Sequence, residues 1–321
     1  MYTQIKKIQI ATCISLLMIL GISCSKDDIS EEDSISLEEF TEVQEKAHGL
    51  KNPASVMYIE VNNQKMQNAA AYTLPDGKPM IDIAVIFAAN VNYNTQSGRT
   101  HVLSMNDNVK NVLRNRATTI RPLQNKGIKV LLSILGNHQA VGIANFPTRA
   151  EARRFAKQVA KVVKDNGLDG VDLDDEFAKY GTIAGRPAIN RNSFIWLLRE
   201  LRAAMPSNKI ITYYRIGEST GQMQSQGKKA GQFLDFAFQP FYGSYANINV
   251  PGLGKRKKAA AAVDVTRTAA STARDFANRT KRDRFGAFVM YNLDGVNRES
   301  YLNGISQGLY GKQTRLTGTL Q

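Results

Sequence analysis

The chain has 321 residues, 43% hydrophobic and 22% charged, a balance that supports a sizeable core in one large domain or two small ones. Its only cysteines, Cys13 and Cys24, fall in the first 24 residues, which excludes a disulfide framework or a Cys-based metal site in the body. Net charge is +14 although residues 24–45 set nine acids against Lys26, so the body from Lys46 onward is more basic still; such a surface favours anionic neighbours, but charge alone names none and equally fits a solvated face.

Lys6 and Lys7 precede an apolar run from Ile8 to Ile22, then Ser23 and Cys24. A basic start, a short apolar core and small residues at the end make an export signal, too short for a membrane span of about 20 residues. A cysteine at the cut site is similar to a bacterial lipoprotein signal over residues 1–23, with Cys24 lipidated after cleavage; Gly21 stands where leucine is usual in such signals. Residues 24–51 read as a flexible acidic tether. That tract resembles the export tag of surface-exposed lipoproteins, so the expected location is the outer membrane or cell surface, with plain secretion or the periplasm as the alternative.

From Asn52 the pattern alternates strand and helix. Strands are expected at Ser55–Val61, Ile81–Ala88, Ile128–Leu135, the acidic stretch 169–176, Lys209–Arg215, Leu234–Pro240, Ala259–Val265 and Arg284–Tyr291. Helices are expected at Asp107–Asn125 with a break near Pro122, from Thr148 to about Asp165 with Thr148 and Glu151 as a capping box, and at Asn190–Met205, Val265–Lys281 and Glu299–Leu309. Gly217 to Gly231 offers no good helix. Up to eight strands in residues 52–321 fit an irregular (β/α)8 TIM barrel, a single α/β domain. The alternative is an open doubly wound sheet, disfavoured because no strand is followed by a Gly-x-Gly-x-x-Gly loop.

The stretch Asp169-Gly170-Val171-Asp172-Leu173-Asp174-Asp175-Glu176 carries the chemistry. On a strand, alternate side chains share a face, so Asp172, Asp174 and Glu176 form one file while Val171, Leu173 and Asp175 take the other side. Carboxyls in one file repel, and at least one keeps its proton near neutral pH. Such a protonated group at the mouth of a barrel is a candidate general acid. Carboxyl clusters also bind metal, but a calcium loop needs Gly at its sixth and Glu at its twelfth position, and neither frame of this stretch has them. No metal or cofactor is expected. In a glycosidase, Glu176 would donate the proton. Where the sugar's own acetamido oxygen is the nucleophile, Asp174 would hold the acetamido N–H and Asp172, deeper, would share a proton with Asp174.

Asp169-Gly170-x-Asp172-x-Asp174-x-Glu176 matches the signature of glycoside hydrolase family 18. Further blocks resemble its endo-β-N-acetylglucosaminidase branch of the endoglycosidase H and F type. They are Tyr58–Asn63, Ala84–Asn90, Val130–Gln139, Asn145–Pro147, Pro240–Gly243 and Tyr291–Gly295, in matching order from about residue 53 to 311. The resemblance implies an irregular (β/α)8 barrel that cleaves between the two core N-acetylglucosamines of N-linked glycans, high-mannose or hybrid, on a glycoprotein or free glycan. It implies Glu176 as acid/base, Asp174 as the acetamido-positioning residue and Tyr242 as a hydroxyl donor to the acetamido oxygen. Tyr58, Phe87, Tyr291 and Asn292 would line the pocket, Asn137 with His138 would sit at the mouth, and Gln239 would contact substrate although it stands where close relatives carry Asn. A monomer is expected, and no nucleic acid: Lys255-Arg256-Lys257-Lys258 is basic, but no nucleic-acid motif accompanies it. The alternatives are a chitinase, which would normally place Trp at the end of strand eight where this chain has Tyr291-Asn292, and a non-catalytic glycan-binding lipoprotein, which would normally lack the acid.

Overall fold

The computed structural model describes residues 48–94, 96 and 99–321. The signal, Cys24 and most of the tether lie outside the described residues. At the tether's far end Lys51 already belongs to the body: its backbone N–H and its Nζ both donate to Asp82 Oδ1, at 3.0 and 2.9 Å.

Eight strands close a parallel barrel: β1 (Ala54–Glu60), β2 (Ile83–Asn94), β3 (Lys129–Gly136), β4 (Gly170–Asp174), β5 (Ile210–Tyr214), β6 (Phe236–Phe238), β7 (Lys258–Asp264) and β8 (Ala287–Tyr291). Each pairs in parallel with the next, and β8 pairs with β1. Period-two alternation divides the apolar residues into two cores. Val56, Val85, Leu131, Ile210, Phe236, Phe238 and Val289 fill the barrel interior. Met57, Ile86, Leu132, Val171, Leu173, Ile211 and Phe288 face outward into a larger core shared with the helices. Val171 and Leu173 therefore do what the alternation in the acidic stretch demands.

Among the described residues the longer helices are α1 (Asp107–Arg114), α2 (Arg149–Asn166), α3 (Ser193–Ala204), α4 (Ala270–Arg282) and α5 (Glu299–Tyr310). Thr148 caps α2 through its side chain, accepting from the Glu151 N–H at 3.2 Å. Gly167 ends that helix in the left-handed conformation that glycine tolerates. The expected helix Asp107–Asn125 breaks into three pieces, 107–114, 116–119 and 121–125. Thr119 Oγ1 bonds the Val112 carbonyl at 2.7 Å in competition with the helix, and Pro122 brings no N–H to the last piece. α4 starts five residues later than the periodicity predicts, because Asp264 holds the chain in a turn: it accepts from the Thr266 N–H at 2.8 Å, and Thr268 Oγ1 accepts the Asp264 N–H at 3.0 Å.

The barrel is irregular as expected. Among the described residues, the β1–β2, β5–β6 and β6–β7 connections contain no α-helix. The stretch 217–231 forms 3-10 turns and a small hairpin, Gln224–Ser225 with Lys228–Lys229. Several short strands were not foreseen: β2 continues past the barrel and pairs antiparallel with Arg99–Ser104, raising a hairpin beside the mouth, Ser244–Tyr245 pairs with β7, and Tyr72–Thr73 pairs with Arg315–Leu316.

Candidate active site

The acidic stretch lies where the pattern puts it. Gly170 opens β4 because a Cβ there would come within 1.9 Å of the Ile210 carbonyl oxygen on β5. Asp169 serves the fold: its Oδ2 accepts from the Val130 N–H at 2.9 Å and from Gln124 at 2.7 Å. Asp172 is fully buried in the barrel interior. Register pairs it with Ser133 on β3 and Thr212 on β5, and each hydroxyl donates to one carboxyl oxygen, at 2.8 and 2.5 Å. With both oxygens so held, Asp172 is anchored across three strands. Burial still raises its pKa above the ordinary carboxylate range.

Asp174 is the next inward residue, opposite Tyr214 on β5 and 2% exposed. Its Oδ1 accepts the Glu176 N–H at 3.2 Å, so the two acids emerge together at the carboxyl end of β4. Burial first, then the charges of Glu176 and Asp172, hold its pKa well above the usual range. Glu176 is half-buried, and burial raises its pKa too. The site thus keeps two neutral carboxyls at pH values where exposed ones would have ionised, which is what proton donation to a leaving oxygen requires.

Aromatic rings wall the mouth. Tyr242 and Tyr291 stack with centroids 5.0 Å apart and planes at 18°. Phe87 meets Tyr291 edge-on at 6.4 Å and Tyr58 at 6.1 Å. Tyr58 is buried at the floor, close to Asp172, and burial with the charges of Asp172 and Asp174 raises its pKa well above 10.0. Tyr242 lies beside Tyr214, with ring centroids at 6.1 Å. Burial of its phenol, then Tyr214 and Asp174, hold the Tyr242 pKa well above 10.0, so its hydroxyl keeps its proton at neutral pH.

Gln239, Asn292 and Asn137 are at the mouth, but their amides are engaged. Gln239 is 1% exposed. Its Oε1 accepts from the Phe241 N–H and its Nε2 donates to the Phe241 carbonyl at 3.1 Å, so it clamps the backbone that carries Tyr242. Asn292 accepts from Gln64 at 2.7 Å and donates to Thr266 at 2.9 Å, joining the loops after β1 and β7. Asn137 donates to Asn92 on the hairpin at 2.8 Å.

Tyr214 and Asp264 escaped the sequence reading, as did the loop partners of Asp175. Tyr214 donates to the Pro240 carbonyl and so braces the same loop as Gln239. The inward parity of β5 was the signal that could have found it. Asp175 turns away from the mouth and accepts from Tyr180 at 2.5 Å and from the Ser219 N–H at 2.7 Å, tying the loop after β4 to the loop after β5. Asp264 closes β7 and is 5% exposed, within 3.4 Å of the Asn292 amide. Among the described residues no group of three His, Cys, Asp or Glu side chains is disposed to hold a metal ion.

Comparison with known proteins agrees with this geometry. The family model described as Glycosyl hydrolases family 18 matches residues 54–282. An "Endo-beta-N-acetylglucosaminidase" of Flavobacterium sp. (strain SK1022) is 48% identical over 260 residues, 81% of each chain. "Endo-beta-N-acetylglucosaminidase F1" of Elizabethkingia meningoseptica is 33% identical over 92% of this chain and 90% of that one. The crystal structure of Bacteroides thetaiotamicron EndoBT-3987 with a Man5GlcNAc product superposes with a TM-score of 0.73 at 27% identity, covering 84% of this chain and 63% of that longer one. The acid file and seven of the eight barrel strands lie within the residues that the family model matches, and the chain belongs to glycoside hydrolase family 18.

Proposed function

We propose that this glycoside hydrolase is an endo-β-N-acetylglucosaminidase that cuts between the two core N-acetylglucosamines of N-linked glycans, using the substrate's own acetamido group as nucleophile. The observation that carries the reading is the pairing of Asp174 with Glu176 beneath the Tyr242–Tyr291 wall. Glu176, held neutral by burial, gives its proton to the bridging oxygen as the bond to C1 breaks. Asp174 accepts the acetamido N–H and turns the carbonyl oxygen toward C1. Tyr242, a neutral phenol, donates to that oxygen and holds it in line. As positive charge develops on the closing ring, Asp174 can pass its proton inward to Asp172, the next carboxyl in the file, whose pKa burial has raised. Water then opens the ring with Glu176 as base, and configuration is retained.

High-mannose and hybrid glycans are the proposed substrates. The two curated relatives carry the activity in their names, and a second EndoBT-3987 structure holds a Man9GlcNAc2Asn substrate. The test is mass spectrometry of a high-mannose glycoprotein, a complex-type one and a chitin oligomer after digestion. A single N-acetylglucosamine left on asparagine is expected from the first, with Glu176→Gln binding substrate yet nearly inactive. Cleavage of chitin alone, or a fully active Glu176→Gln, would overturn the proposal.

Cys24 is the proposed lipid attachment site, and the cell surface or outer membrane the proposed location. The basic, apolar, small-residue order of residues 1–24 supports it. Radiolabelled fatty acid should enter the wild-type chain and not Cys24→Ser; equal labelling would remove the anchor.

A further inference from the structure

His138 and Phe177 lie outside the machinery described so far, yet they stand at its edge. Phe177 directly follows Glu176, so their Cα atoms are about 3.8 Å apart. Its ring is 49% exposed, and the His138 ring, also exposed, lies 5.6 Å away with planes at 31°. Both residues hold left-handed backbone, with φ of 57° and 54°. That conformation costs a residue with a Cβ about 1–2 kcal/mol, and such outliers persist where surrounding structure enforces them.

The enforcement is visible. The loop after β3 and the loop after β4 zip together by three backbone bonds: Gly136 N–H to Glu176 O at 3.0 Å, His138 N–H to Phe177 O at 2.7 Å and Ala140 N–H to Ala178 O at 2.9 Å. The neighbours of His138 are tied to the hairpin. Asn137 bonds Asn92, and Gln139 Oε1 accepts the Tyr93 N–H at 2.8 Å. Arg186 locks the far side, its guanidinium 3.5 Å above the Tyr93 ring and its Nε on the Gln139 carbonyl. The backbone around the two rings is pinned, and both rings face water.

We propose that the His138–Phe177 pair is a stacking platform for the leaving sugar, the N-acetylglucosamine that stays on asparagine. This rests on the activity proposed above. A general acid has to sit within about 3 Å of the oxygen it protonates, so the leaving sugar begins at Glu176. Asp174 and Tyr242 hold the sugar on the other side of that bond. Tyr242 follows β6, on one side of β4 in the barrel, and His138 follows β3 on the other, so a sugar extending from Glu176 away from Tyr242 approaches the loops that carry His138 and Phe177. A β-linked N-acetylglucosamine presents flat C–H faces, which suit aromatic rings. A preformed platform binds it without ordering a loop.

The test uses the full chain with Phe177→Ala and His138→Ala, beside the ring-keeping Phe177→Tyr and His138→Phe. Two quantities are read: steady-state kcat and KM on a high-mannose glycopeptide, and binding by calorimetry of a peptide carrying one asparagine-linked N-acetylglucosamine. In the alanine variants, KM and the product Kd should both rise about five- to tenfold, the equivalent of one aromatic contact each. kcat should stay within about twofold, and the ring-keeping variants should bind like wild type. Unaltered product binding in the alanine variants would overturn the platform, as would an equal loss of kcat in all four, which would make the loop merely structural. Wild type that binds the product but releases no glycan would overturn the proposed activity and leave the platform standing.

Discussion

Replacing Gln239 with methionine separates two roles for this side chain. Met has nearly the same length and volume but no amide. The structure assigns both ends of that amide to the Phe241 backbone, with the side chain 1% exposed. Each neutral hydrogen bond is worth about 0.5–1.5 kcal/mol net, so the pair contributes roughly 1–3 kcal/mol to holding this turn. Phe241 is 63% exposed, and water can recover part of that. Stability should therefore fall by about 1–2 kcal/mol. The larger effect is on Tyr242, the next residue, whose hydroxyl has to meet the acetamido oxygen. A misplacement of about 1 Å can cost on the order of a hundredfold in rate. Gln239→Met should thus lower kcat about 10- to 100-fold with KM within about threefold, measured on a high-mannose glycopeptide. In a Tyr242→Phe background the same change should do little, because the hydroxyl it positions is gone, a coupling above about 1 kcal/mol. Normal kcat with a raised KM, additive with Tyr242→Phe, would refute this and make Gln239 a direct substrate contact.

The pH profile should show the neutral acid. kcat/KM should hold beyond 4.5, the ordinary glutamate value, and decline only as pH rises through the burial-raised pKa of Glu176; an alkaline limb centred on 4.5 would contradict the burial argument. Asp175 should leave a mark on stability. Burial lifts it from 3.8 to about 7, so the folded chain keeps a proton that the unfolded chain has released. Its stabilising effect is complete below about pH 4 and lost between about pH 4 and 7, at most about 4 kcal/mol. Denaturant midpoints at pH 5 and 8 should differ less in Asp175→Asn than in wild type, and an equal slope in both would dismiss the idea. Gly136→Ala should fold with its outer core intact but lose at least about tenfold in kcat, because the new Cβ would sit 2.4 Å from the Glu176 carbonyl oxygen and the Ala178 nitrogen. Thermal unfolding alongside turnover checks both halves of that statement.

What could be read from the sequence was what repeats at short range. Val171 and Leu173 betray a strand by alternation, Thr148 and Glu151 mark a helix start, and the spacing of such elements yields the barrel. The parity of the acidic file puts Asp174 and Glu176 together and sends Asp175 away, and the side chains obey it. Long-range partners were not legible. Asp175 meets Ser219, 44 residues on, and Asn292 meets Gln64, 228 residues back, across loops without a local signature. The Arg99–Ser104 strand stayed hidden because it is short and polar, and its partner lies beyond the apolar part of β2. Gln239 carried a chemical identity that suits a sugar contact, and only the turn at Pro240 decides that its amide folds back on the chain.

Tyr58 packs edge-on against Phe87, Tyr214 and Phe238, so the floor of the catalytic cleft is also the ceiling of the inner apolar plug. One set of rings answers to two masters: trimming a ring to admit a bulkier sugar opens a void in the interior, and enlarging one to tighten the interior crowds the sugar. Variation in glycan preference is therefore channelled to the loops at the barrel's lip, whose side chains can change without disturbing what lies under them.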